Sequence, residues 1–294
     1  MREGRSRAFY VLAAFFAAYV LFLYGPMIAI FTLSFQGPDG GLTFPMNGIS
    51  LHWFEHLFFA GTGIVDIGAS FVRSAKLGLV VALLTMVISV AAGMAFRKGF
   101  RGQALVFYLA IASLIVPSII TSLGIALEFR LFDDWIKAHA AALPAFVGQD
   151  FSTSMGLLTS GLAAHLTWTL PFGLLIMFAV FNRFDRRYEE AARDLGATPW
   201  QTFRHVVLPI ILPSVVGIGL FGFTLSWDEI ARSSQAIGPV NTLPLDLQGL
   251  TTTVTNPDIY ALGTATTGVS LVAIGLALFV IVFLQRRRSR QGEP

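Results

Sequence analysis

The chain contains no cysteine, which excludes disulfide staples and thiol chemistry and leaves redox compartment undetermined. Charge is scarce as well. Only 13% of its 294 residues are Asp, Glu, Lys or Arg, about half the share of an ordinary soluble domain. With 55% apolar residues and a mean hydropathy of +0.70, that scarcity points to a polytopic membrane protein. Nowhere does a lysine follow a glycine, so the chain has no P-loop to cradle ATP phosphates.

The few charges are clustered, and the gaps between them carry the architecture. Six stretches of twenty or more residues hold no Asp, Glu, Lys or Arg: 8–38, 77–96, 102–127, 151–182, 205–227 and 259–285. A hydrocarbon core about 30 Å thick is crossed by ~20 helical residues, so each gap holds one span. The spacing predicts an all-α membrane protein with one transmembrane domain over 1–294. Its six spans lie near 8–33, 75–96, 104–127, 155–181, 209–227 and 262–284. Outer-membrane strands would alternate in segments of ~10 residues, whereas runs such as Leu271 to Leu284 are continuous. The N-terminus mimics a signal peptide, but its apolar run continues past Tyr24-Gly25-Pro26 to Leu33 without a small-residue cleavage site. It is expected to be a retained first span.

Basic residues set the orientation. Fifteen fall on the side shared by both termini: Arg2, Arg5, Arg7, Arg97, Lys98, Arg101, Arg183, Arg186, Arg187, Arg193, Arg204, Arg286, Arg287, Arg288 and Arg290. Five fall opposite: Arg73, Lys76, Arg130, Lys137 and Arg232. The positive-inside rule makes both termini cytoplasmic and loops 34–74, 128–154 and 228–261 external. This asymmetry accounts for an isoelectric point near 9.4 with the lipid bilayer as partner and no nucleic acid. In the first outer loop, Ser50 is expected to cap a short helix with Leu51, Phe54, Leu57 and Phe58 on one face and Trp53 at headgroup level. Loop 97–102 reads as a tight turn whose charges fix topology. Pro117 and Pro171 fall inside spans three and four, where each removes a backbone hydrogen bond and permits a kink. Gly268 and Gly275, with Thr264, Thr266, Thr267 and Ser270, give span six a small-residue face suited to helix packing or to lining a cavity.

Segment 182–209 is charged yet lies between two apolar runs. Asn182 or Asp185 can cap a helix ending near Leu195, and Gly196 stands where a left-handed C-terminal glycine belongs. Thr198, Pro199 and Gln201 then form a capping-box pattern with proline at the first helical position, and Leu208-Pro209 leads into span five. The result is two short helices across a sharp bend, kept slim by Ala191, Ala192 and Ala197. Helix signals alone allow a docking surface or an interfacial pair held by anionic headgroups.

Tyr188-Glu189-Glu190-Ala191-Ala192-Arg193-Asp194-Leu195-Gly196-Ala197, with Phe203 and Val207-Leu208-Pro209, resembles the EAA motif of ABC importer inner-membrane permeases. Residues 164–172, 223–229, 238–239, 242–245 and 256–262 are similar to the spermidine/putrescine type, in particular its second permease subunit. Residues 1–150 resemble it more loosely. The resemblance implies the type I importer permease fold, with 182–209 forming coupling helices that seat in a cleft of a cytoplasmic ATPase. It implies ATPase-coupling roles for Glu189, Glu190, Ala191, Ala192, Asp194, Gly196, Ala197, Leu208 and Pro209. It also implies a heterodimer with a related second permease and two ATPase copies that bind ATP and Mg. An extracytoplasmic solute-binding protein would dock on the outer loops of the complex, in a bacterial cytoplasmic (inner) membrane. The chain itself would be non-enzymatic, with no cofactor and no metal.

Substrate-pathway candidates follow from charge at membrane depth. Asp228 and Glu229 end span five beside Trp227, and carboxylates next to an aromatic suit an organic cation. They can instead mark the water boundary or pair with Arg232, one turn on. Arg232 departs from the apolar residue usual in polyamine permeases, so a zwitterionic or anionic amine (opine, amino acid, aminophosphonate) stays open beside a polyamine-like one. Trp168 in span four is a further candidate, while His165 reads as a hydrogen-bonded packing residue. A gradient-driven secondary transporter, the rival class, usually shows internal repeats and a midplane ion site; no sequence repeat and no carboxylate near a span centre is present.

Overall fold

The computed structural model describes residues 7–60, 66–140, 151–253 and 257–291; Arg2, Arg5 and Asn256 lie outside them. In chain order the helices are α1 (Arg7–Leu33), α2 (His52–Glu55), α3 (Ile67–Lys98), α4 (Gln103–Ile115), α5 (Ser118–Ala138) and α6 (Leu157–Asn182). They continue with α7 (Arg187–Asp194), α8 (Pro199–Trp227), α9 (Ser233–Ala236), α10 (Leu243–Thr253) and α11 (Asp258–Gln291). Among the described residues the β-structure amounts to a bridge between Gln36 and Ile49. Helices α1, α3, α6, α8 and α11 are each long and apolar enough to cross a membrane, at the positions of spans one, two, four, five and six.

Span three is the correction. The stretch expected to be one kinked helix over 104–127 is two helices, α4 and α5, bent by 111°. Proline bars its predecessor from helical geometry, and Val116 is extended at φ −69° and ψ 130°. Pro117 is extended as well. Helix α5 then continues through 128–138, residues expected to begin an outer loop, and Asp133 accepts hydrogen bonds from Thr153 Oγ1 and Ser154 N at 2.6 and 2.8 Å.

Contacts divide the chain into two compact units, Met1–Gly68 with Leu247–Val269 and Ala69–Asp246 with Ser270–Pro294. In the first, the Gln36 amide is buried and folds the post-α1 loop around itself. Its Oε1 accepts from Asn47 N at 2.7 Å and its Nε2 donates to Gly41 O at 3.2 Å. Ser50, the expected cap of α2, lies one residue before the N-cap Leu51, which makes no side-chain cap bond, and its Oγ accepts the His52 N–H at 3.0 Å. The expected apolar face is corrected here: Trp53 and Leu57 turn inward, whereas Leu51 is exposed, so Trp53 is a buried packing residue. His56 Nδ1 lies 3.0 Å from Asp258 Oδ2 and pins α2 to the start of α11.

The second unit is organised around α3, α6 and α8. Their apolar windows are 39%, 44% and 33% buried, against 0% for α1 and 6% for α11, so the core lies in the three middle helices. Val90, Met177, Phe181, Val207, Ile211, Val215 and Ile218 make one cluster at this junction. Leu77, Val81 and Ile237 make a second. Two glycines permit the approach. A Cβ on Gly173 would run into Ser89, and one on Gly222 would meet Ala82 Cα at 3.1 Å. Intramembrane helices, which gain little from excluding water, rely on such close approach. On the face expected in span six, a Cβ at Gly268 or Gly275 would meet nothing among the described residues. Thr266 and Thr267 bond back to their own helix at Leu262 O and Gly263 O, both at 2.8 Å.

Because Ala82 presents backbone to Gly222, a branched side chain there has nowhere to go. Gly222→Val is expected to cost about 1–3 kcal/mol by overpacking and to lower the thermal midpoint of the purified protein. Gly268→Val, on the open face, should leave the chain's own midpoint near wild type.

Candidate functional site

The first candidate site is the turn between α6 and α8. Helix α7 begins after Arg186, its N-cap, which makes no side-chain cap bond; the expected cap Asp185 stands one residue earlier and its Oδ1 accepts the Arg187 N–H at 2.9 Å. The helix stops at Gly196, whose φ of +83° is left-handed and costs glycine little. Gly196 N bonds Arg193 O at 2.8 Å and Ala197 N bonds Ala192 O at 3.0 Å, a Schellman closure of the helix end. Two residues on, Thr198 N donates to Gln201 Oε1 at 2.8 Å and Gln201 N to Thr198 Oγ1 at 3.3 Å, the reciprocal capping box of α8. One π-helical turn at Phe203–Val207 then joins the short first turn of α8 to its apolar run.

The turn presents two unlike faces. Tyr188, Leu195 and Trp200 are exposed, Leu195 at 90%, and Glu190, Ala191, Asp194 and Gly196 are exposed beside them. Ala192, Ala197, Leu208 and Pro209 are half-buried. Glu189 faces the other way. Its Oε1 meets Arg97 Nη1 of α3 at 2.7 Å, with both side chains nearly covered, and Oε2 meets Arg193 Nη2 at 3.5 Å. The Arg97 guanidinium also lies 4.7 Å over the Phe181 ring and 5.0 Å over Phe184. Arg97 therefore does more than mark topology: it ties α7 to the end of α3. Sequence reading gave no sign of this partner, since 92 residues separate the two side chains.

The second candidate site lies between α8 and α10. Arg232 is wholly buried. Its Nη2 donates to Ser113 O at 3.1 Å, Nε to Ser118 Oγ at 3.3 Å, and Nη1 to Thr167 Oγ1. Its guanidinium sits 4.9 Å over the Trp168 ring. Ser113 and Thr167 each stand four residues before a proline, Pro117 and Pro171, so both carbonyls lack their helical N–H partner. Arg232 takes the first, and Ser113 Oγ, 2.6 Å away, takes the second. Neither Ser113 nor Thr167 stood out in the sequence, although their proline spacing was there to find.

Around this hub the other candidates sort themselves. Glu229 Oε1 accepts the Arg232 backbone N–H at 2.9 Å, so the expected side-chain pair with Arg232 is replaced by a backbone cap. Trp227 is buried, edge-on to Phe71 and stacked on Phe223, and its Nε1 finds no acceptor. His165 is a packing residue. Nδ1 lies 2.7 Å from Ser226 Oγ and Nε2 2.9 Å from Ser233 Oγ. Ser233 donates its own proton to Glu229 O, which places the ring proton on Nε2. Asp228 alone of these keeps an exposed carboxylate, while the protein crowding it raises its pKa above the ordinary aspartate value by desolvation.

Residues 85–291 match the model of the binding-protein-dependent transport system inner membrane component. The chain belongs to that family. It is 32% identical over 272 residues to the putrescine transport system permease protein PotI of Escherichia coli K12, covering 92% of this chain and 89% of that one. It is 30% identical over 283 residues to the spermidine/putrescine transport system permease protein PotC of Haemophilus influenzae Rd, covering 96% and 98%. Among solved structures, a bacterial ABC transporter involved in import of the acidic polysaccharide alginate aligns over 95% of each chain, at 17% identity and a TM-score of 0.59. The fold is thus that of a type I ABC importer permease. The chain is a multi-pass membrane permease subunit of a binding-protein-dependent ABC importer.

The Arg97–Glu189 pair yields a direct test. Arg97→Glu and Glu189→Arg should each lower the thermal midpoint and weaken ATPase stimulation in the assembled importer. The double exchange should recover much of both, with a coupling of about 1–2 kcal/mol in the stability cycle. Additive losses would show that the two side chains act apart.

Proposed function

We propose that this permease forms half of the translocation pathway for a polyamine-like organic cation and receives ATP-driven motion through segment 182–209. Similarity to PotI along 92% of the chain carries the substrate class. The exposed apolar side chains of Tyr188, Leu195 and Trp200 around a rigidly capped turn support the coupling role, since such patches mark protein contacts. The turn is cytoplasmic, as are both termini. Two copies of a partner ATPase hold the ATP and Mg. A related second permease completes the pathway, and an extracytoplasmic binding protein delivers the solute. Glu190, Ala191, Asp194 and Gly196 face the ATPase; Glu189 orients the helix that carries them.

Arg232, which in sequence leaves zwitterionic and anionic amines open, has its guanidinium enclosed by its own chain. That supports the cationic reading, with Asp228 as the carboxylate offered to an amine. Reconstituted with its partners, the importer is expected to take up putrescine or spermidine only with ATP. Glu190→Arg or Gly196→Asp should abolish both uptake and co-purification of the ATPase. Uptake that persists without ATP and follows a proton or sodium gradient would overturn the reading.

The raised Asp228 carboxyl adds a pH signature. A carboxylate with raised pKa loses its charge at a higher pH than an ordinary aspartate as the medium is acidified. Uptake should therefore begin to fall on acidification at a higher pH than an ordinary aspartate would set, and Asp228→Asn should show lower uptake without that inflection. An unchanged profile in Asp228→Asn would remove Asp228 from the pathway.

A further inference from the structure

Three cavities run end to end along one side of α3 and share Met94. The first, of about 340 Å³, is lined by apolar side chains only, among them Met86, Val90, Ala91, Phe203 and Val215. The second, about 250 Å³, passes between Lys98, Arg193 and Phe203. The third, about 370 Å³, is edged by Arg97, Lys98, Arg186 and Arg193, with Glu189 and Glu190. Four cations thus face two carboxylates, and one of these, Glu189, is already taken by Arg97 and Arg193. From Met86 to Lys98 the helix rises about 18 Å, close to the depth of one leaflet, half of a core about 30 Å thick.

We infer that this trough is a binding site for one anionic phospholipid, its acyl chain in the slot at Met86–Ala91 and its phosphate at Lys98 and Arg186. The trough grades from wholly apolar to net positive over a leaflet's depth, which fits an amphiphile with a negative head. A substrate amine would be repelled at the basic end, and a free phosphate would gain nothing from the slot. Basic pockets between helices at the cytoplasmic side recognise anionic headgroups in this way. The proposal uses the orientation given above. Its consequence is mechanical: the lipid would sit between α3 and the turn bearing Glu189 and Phe203, so the stiffness of the coupling turn would depend on the inner leaflet.

The test uses the whole importer in nanodiscs of phosphatidylglycerol or of phosphatidylcholine, read by native mass spectrometry and by binding-protein-stimulated ATPase activity. Phosphatidylglycerol should be retained through delipidation and stimulate turnover over phosphatidylcholine. Lys98→Gln should weaken its retention about five-fold, the factor one basic side chain near the surface supplies. Arg101→Gln, which removes the same charge outside the trough, should not. Ala91→Trp should block the slot; if that variant does not assemble, the Lys98→Gln and Arg101→Gln comparison still decides. A photo-reactive residue installed at Val87 should capture lipid. Capture of the second permease there instead would make the trough a subunit seam and overturn the proposal. So would equal losses in Lys98→Gln and Arg101→Gln, or inorganic phosphate reproducing the stimulation. An importer inactive in both lipids yet retaining phosphatidylglycerol through Lys98 would count against the transport reading and leave the lipid site standing.

Discussion

Arg232 is the interaction on which the second unit depends. A guanidinium removed from water costs several kcal/mol unless its donors are met. Here they are met by the Ser118 and Thr167 hydroxyls and by Ser113 O, a carbonyl that a proline frees. Pro117 leaves Ser113 O without its helical partner, and Pro171 does the same for Thr167 O. Arg232 bonds the first, and Ser113 Oγ bonds the second. The residues that break the helices therefore also supply the sockets that hold the broken ends together. Ser122 Oγ, donating to Arg232 O at 2.7 Å, adds α5 to the same knot. A 111° bend in a span would otherwise leave polar backbone exposed where there is no water to receive it.

The glycine-mediated contact of α3 with α6 and α8 converts that local knot into a rigid body. Gly173 against Ser89 and Gly222 against Ala82 allow the helices no slack, and close-packed interiors transmit displacement rather than absorb it. Arg97 leaves the end of α3 and pairs with Glu189 of α7 at 2.7 Å. Motion imposed on α7 is thus delivered to the helix that packs both α6 and α8. The turn itself is fixed at both ends, by Asp185 and Gly196 on one helix and by Thr198 and Gln201 on the next. A turn closed in this way holds α7 and the start of α8 in a fixed relation.

What the sequence could show depended on the range of the interaction. Charge gaps report on twenty residues at a time, and they located five spans as single helices. Caps are local within three or four residues, so Gly196, Thr198 and Gln201 were legible one by one. Pro117 was legible as a kink but not as a 111° turn, because the bend is held by Arg232, more than a hundred residues away, bonded to Ser113 O on one side and to Ser122 Oγ on the other. A separation of 92 residues hid Arg97 as the partner of Glu189, and Trp53, expected at the interface, is buried. Asp228 and Glu229 were visible as carboxylates, yet their difference came only with the fold: Glu229 caps the Arg232 backbone and Asp228 stays open.

The faces that the chain leaves bare follow the same logic from outside. α1 and α11 bury almost none of their apolar length, and Gly268 and Gly275 meet nothing. Open space beside a glycine suits the close approach of another helix, whereas bulky residues such as Phe15, Phe16 and Phe279 suit lipid. The trough beside α3 differs from both, since its apolar slot ends in cations and so asks for a ligand with two chemistries. Bulky apolar faces are thus matched to hydrocarbon, and a slot that ends in cations to an amphiphile with a negative head.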